Sequence, residues 1–167
     1  MTNIYEDADS QKTARAKAGE LLDAEALKNY PSDKEAGLVG TILHEATHNL
    51  GPHSSSKING KTQAEIFGGR MEGVLEELKA QTGALWYIDL LRRKGLLSER
   101  LVRETYTHEL AWCFGHISNG MTGANGAPKP YSQLSAVQIG SFVKAGALEW
   151  RADTDGVERF HVDYARL

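Results

Sequence analysis

One cysteine, Cys113, occurs in 167 residues, so no disulfide can form within the chain. That scarcity fits a reducing compartment, and a cytoplasmic location is the expectation. Long apolar runs are also missing: no stretch approaches the roughly 18 residues a membrane helix needs, so a helical membrane span is excluded. Basic charge is not in excess either. Nineteen lysines and arginines face 22 acids, for a net charge of −3, which gives no support for nucleic-acid binding. The first seven residues are acidic and lack an apolar run, so no signal peptide is expected. Internal repeats and low-complexity tracts are absent.

What is present is ordinary globular composition, 41% hydrophobic and 25% charged, in a chain long enough for one cored domain over residues 1–167. Residues 11–28 are rich in Ala, Lys, Glu and Leu and predict a helix with Leu21, Leu22 and Leu27 on its buried side, ended by Tyr30-Pro31. Ser32 and Glu35 predict a capping box for a second helix, which runs to about Leu50 and stops at Gly51-Pro52. The polar segment 53–62 predicts a loop or short hairpin, and Gly68-Gly69 a bend. A long helix is predicted over 71–94, with Trp86, Tyr87, Leu90 and Leu91 in the core and Arg92-Arg93-Lys94 at its C-terminus. Ser98 should cap a helix reaching about Phe114, a glycine-rich loop should span 115–131, and a last helix should cover 132–145, ending at Gly146. Alternation at Leu148, Trp150 and Ala152, a turn at Thr154-Asp155-Gly156, then Val157, Phe160 and Val162 predict a hairpin. The fold class is mainly α, with a small C-terminal β-hairpin.

The run His44-Glu45-Ala46-Thr47-His48 lies inside the second predicted helix. Positions i and i+4 share a helix face, so the two imidazoles address one point, and zinc accepts such nitrogens at about 2.0–2.1 Å. Glu45 lies roughly 100° around the helix from His44. It stands beside the metal rather than on it, where a general base for a zinc-activated water belongs. Leu38, Val39, Ile42 and Leu43 flank the pair and predict a half-buried helix, where unpaired imidazoles would be costly.

A third protein ligand is required, and two sources compete. His53 extends the run to His-Glu-x-x-His-x-x-Gly-x-His, one residue short of the metzincin spacing. The acid pair Glu76-Glu77 lies on the next long helix, whose Gly73, Ala80, Gly83 and Ala84 would let two helices approach closely enough to share a metal. Among the other histidines, His108 and His161 have no partner at ligand spacing, and His116 precedes the glycine-rich loop. Cys113 is expected to be a small buried hydrophobe.

With these residues in view, the chain resembles the dipeptidyl peptidase III-like zinc metallopeptidases, notably their bacterial members. The resemblance rests on His44 through Pro52 and on Glu76-Glu77-Leu78-Lys79-Ala80, with a weaker extension from Gln133 to Leu148. It implies a helical catalytic lobe, zinc held by His44, His48 and Glu77, support of a ligating histidine by Glu76, and hydrolysis of short peptides. The chain departs from the family in its shorter spacing between the histidines, in Gln81 where an acid closes the second motif, and in Tyr131 where a histidine often steadies the transition state. It is also much shorter than family members, which carry a second lobe.

The expected function is therefore that of a zinc metallopeptidase of the His-Glu-x-x-His type. Glu45 would be the general base, and Tyr131 or His116 the group that stabilises the oxyanion. A zinc-stabilised binding domain without catalysis and a zinc hydrolase of a non-peptide substrate are the alternatives. The expected partners are a peptide substrate and either a second copy or a partner lobe to complete the cleft, with neither nucleic acid nor membrane.

Overall fold

The computed structural model describes residues 8–52 and 55–167. The acidic Met1–Asp7 segment and the candidate ligand His53 lie outside the described residues. The fold class is as expected: helices α1 (Ala8–Gly19), α2 (Ala24–Lys28), α3 (Glu35–His48), α4 (Gln63–Phe67), α5 (Gly69–Arg93), α6 (Glu99–Ser118) and α7 (Pro130–Ala145) precede strands β1 (Leu148–Ala152) and β2 (Glu158–Val162).

The predicted helix over 11–28 is two helices, because the hairpin claims the backbone between them. Asp23 N–H donates to the Phe160 carbonyl at 3.0 Å, and Phe160 N–H donates to the Leu21 carbonyl at 2.7 Å. Asp23 then caps α2 by accepting from Ala26 N–H at 2.8 Å. Leu22 is fully buried at this junction, while Leu21 and Leu27 are partly exposed.

Helix α3 begins later than predicted. The Ser32–Glu35 capping box does not form; Asp33 Oδ1 accepts from Glu35 N–H at 2.8 Å instead. Its buried face is Ala36, Gly37, Gly40, His44 and Thr47, whereas Leu38 and Ile42 are exposed. Small residues thus bring this helix against its neighbours. A capping box does occur at Thr62 and Glu65, where it opens α4, an element the sequence reading passed over.

Gly68, at φ +77°, turns the chain into α5, 25 residues long. The core face of α5 is Ala80, Ala84 and Ile88, at the i, i+4 spacing. Trp86, expected in the core, is 54% exposed and packs edge-on against Tyr87. Ser98 caps α6 by accepting from Leu101 N–H, and α6 runs about a turn beyond Phe114 to Ser118, so His116 is helical rather than in a loop. Pro130 opens α7, suited to a position with no helical acceptor for an N–H, and Gly146 at φ +72° ends it.

Helix α3 packs on α5 and α6, and α7 packs on α5 and α6. Leu110, Cys113 and Ile139 join Leu148 of the hairpin in one apolar cluster, with Phe114, Phe142 and Phe160 against it. Strands β1 and β2 are antiparallel, in register from Leu148↔Val162 to Ala152↔Glu158. Among the described residues no helix is long and apolar enough to cross a membrane.

Candidate metal centre

His44 lies on the buried face of α3, where the small residues around it press the helix onto α5. His48 follows one turn later and is less buried. Glu76, Glu77 and Gln81 face them from α5. His44 Nε2 stands 3.1 Å from His48 Nε2 and 3.1 Å from Glu77 Oε2. His48 Nε2 is 3.6 Å from the same Glu77 oxygen. One ligand atom from each of the three residues can thus address one ion.

The outer nitrogens of both rings are engaged. His48 Nδ1–H donates to Glu76 Oε1 at 3.0 Å, and Glu76 also accepts from Lys79 at 2.9 Å. His44 Nδ1–H donates to Gln81 Oε1 at 2.8 Å. Partial burial acts to raise the Glu76 pKa, but hydrogen bonds from His48 and Lys79 and their charges outweigh it and hold this carboxyl below its ordinary range.

The chemistry of this donor set fits a zinc ion. If both Nδ1 atoms donate outward, each Nε2 presents a lone pair, and with the Glu77 oxygen three acceptor atoms face one another. A cation relieves that repulsion. Tetrahedral zinc with bonds of about 2.0–2.1 Å spaces its ligand atoms about 3.3 Å apart, close to the separations seen. Hydrogen bonds on the outer histidine nitrogens are the usual support of such a site.

Glu45 is exposed on α3, beside His44 rather than among the converging atoms. Tyr131, at the start of α7, has its ring centroid 6.4 Å from that of His44. Its phenol pKa is raised, first by burial, then by the nearby Glu77 carboxylate and by Glu45. His116 packs against Tyr131, with centroids 5.3 Å apart, and against Trp112 at 4.2 Å. Burial lowers the His116 pKa, which favours the neutral ring.

Two residues at this centre were not anticipated as parts of it. Gln81, read in the sequence only as a departure from a motif, contacts a candidate ligand directly. Glu109 of α6 accepts from Gln81 Nε2 at 2.6 Å. An acid on the stripe Leu101, Thr105, Glu109 and Cys113 of an amphipathic helix was the available signal. His108 lies beside Glu109 at 3.2 Å, and His161 pairs with Asp23 at 2.8 Å near the hairpin.

No family model matches the chain. It is similar to Nudix hydrolase 3 of Arabidopsis thaliana, at 32% identity over 138 residues; these are 81% of this chain and 16% of that protein. In structure it is similar to DPP III from Caldithrix abyssi, with a TM-score of 0.77 over 99% of this chain and 29% of that one, at 23% identity. The chain has a DPP III-like fold, and it spans well under half the length of both proteins.

Proposed function

We propose that this chain is a zinc-dependent hydrolase domain that cleaves short peptides. The observation that carries the reading is the convergence of His44 Nε2, His48 Nε2 and Glu77 Oε2 on one point, with Gln81 and Glu76 on the outer histidine nitrogens. His44, His48 and Glu77 would hold the ion, and Glu76 would orient His48. The ion supplies Lewis acidity and makes water a nucleophile near neutral pH.

The chain's own residues then divide the work. Glu45 takes a proton from the attacking water and returns it to the departing amine. Tyr131 offers its O–H to the oxygen on which charge develops. His116 and Trp112 pack against each other, and His116 packs against the Tyr131 ring, limiting its rotation. We propose that the opposite wall of the cleft comes from a partner lobe or a second copy of the chain.

The 32% identity to a protein named Nudix hydrolase 3 favours a second reading, hydrolysis of a non-peptide bond by the same residues. One experiment separates the two: the zinc-loaded and chelated protein is assayed against peptides of increasing length and against nucleoside diphosphate esters. Chelator-sensitive peptide cleavage, restored by zinc, is the expected outcome. Cleavage confined to the phosphate esters would establish the second reading, and no cleavage of either would leave a zinc-stabilised binding domain.

A further inference from the structure

Glu109 is a buried acid on the apolar stripe of α6, 8% exposed, with no place in the chemistry above. A carboxylate so enclosed must have its oxygens satisfied. Gln81 Nε2 donates to Oε2 at 2.6 Å, and His108 Nδ1 lies 3.2 Å from Oε1. Helix α3 is shaped around the group: a Cβ on Gly40 would stand 2.1 Å from Glu109 Oε1. Gly40 lies one turn before His44, so the same helix face leaves room for the carboxylate and presents the ligand.

We propose that Glu109 is a positioning residue for the metal centre, acting through Gln81 to fix the tautomer of His44. A side-chain amide can face a histidine with either end. If Gln81 offered its NH₂ to His44 Nδ1, that nitrogen would have to accept, and the ring proton would move to Nε2 and block the ligand atom. A carboxylate can only accept, so Glu109 draws the NH₂ of Gln81 toward itself. The amide oxygen then turns to His44, 2.8 Å from Nδ1, and the proton is held on Nδ1. The lone pair of Nε2 is left facing His48 and Glu77. Charge assistance makes the Gln81–Glu109 bond roughly twice as strong as a neutral one, which fixes the direction of the relay. The tautomer assignment stands on hydrogen bonds alone; its consequence for the metal rests on the zinc reading.

The test uses the full chain, with nitrogen NMR of the histidine rings in the metal-free protein and zinc titration in parallel. Glu109→Gln keeps the side-chain shape but can offer an NH₂ to Gln81, which releases the amide to turn. Wild type is expected to show His44 as the Nδ1–H tautomer. The variant is expected to show a mixture and to bind zinc more weakly by a factor on the order of 10–100, the usual effect of an outer hydrogen-bond partner. The swap Gln81→Glu with Glu109→Gln sets a carboxylate directly on His44 Nδ1 and should restore the tautomer and most of the affinity, a recovery that damaged packing would not show. A wild-type His44 tautomer in Glu109→Gln overturns the proposal, whatever the zinc affinity. If wild type binds no zinc while the tautomer still responds to Glu109, the positioning claim stands and the zinc reading fails.

Discussion

A Cβ built on Gly83 of α5 would stand 2.4 Å from Thr47 Cγ2 of α3, so the two helices that carry the candidate ligands touch at a glycine. Gly83→Ala must push them apart. Overpacking of this kind costs about 1–3 kcal/mol, more than the roughly 1 kcal/mol of helix propensity that alanine adds. The variant is expected to melt at a lower temperature and to bind zinc more weakly. Adding Thr47→Ser, which removes Cγ2 and keeps the hydroxyl that donates to the Leu43 carbonyl at 2.7 Å, should recover part of both losses. Equal stability of Gly83→Ala and wild type in thermal melts would show that the contact is loose.

Much of this centre was legible in the sequence because its spacing is local. The i, i+4 relation of His44 and His48 needs only a helix, and the small residues of α5 pointed to a close neighbour. Of those, Ala80, Gly83 and Ala84 lie at buried or tight positions, while Gly73 faces open space. What was not legible depends on pairing between distant segments. The break between α1 and α2 follows from backbone bonds to Phe160, some 140 residues away, which no helical propensity encodes. Trp86 looked like core by hydrophobicity, yet Ala80, Ala84 and Ile88 set the buried face. The relay from His44 to Glu109 joins three helices, so neither Gln81 nor Glu109 could be assigned from its own neighbourhood.

The ligand assignment turns on Glu77. Glu77→Ala should weaken zinc binding by more than the roughly 10–100-fold typical of an outer-shell partner, whereas Glu76→Gln should fall within that range. Zinc titration with a competing chelator measures both. Full affinity in Glu77→Ala would remove Glu77 from the ligand set and return attention to Glu76 and His53.

Three ligands from α3 and α5 would tie those helices together, so metal binding should add to folding stability. With free zinc about a hundredfold above its dissociation constant, the gain is about 2.7 kcal/mol, or roughly 5–10 °C in Tm for a chain of this size. Calorimetry before and after chelation reads this shift. An unchanged melt after verified metal removal would place the ion outside the helix interface.

Cys113 is 2% exposed, and burial pushes its thiol up to about 12. A raised thiol pKa leaves little thiolate at neutral pH, so alkylation of the native protein should be slower than for a free cysteine by a factor on the order of 10³, and fast after denaturation. Rapid labelling of the native chain would contradict the burial of α6 against α7 at this point.

His44 and His48 are proposed to hold a metal while Glu45 between them does chemistry, and Glu45→Gln tests this most directly. Glutamine keeps the shape of the side chain and removes the base. Zinc content and hydrolysis are measured on the same preparations of wild type and variant. One zinc per chain is expected in both, with hydrolysis by the variant lower by a factor on the order of 10²–10⁴, the usual contribution of a general base. Hydrolysis at the wild-type rate in zinc-loaded Glu45→Gln, or loss of zinc from it, would rule out Glu45 as a base standing beside the metal.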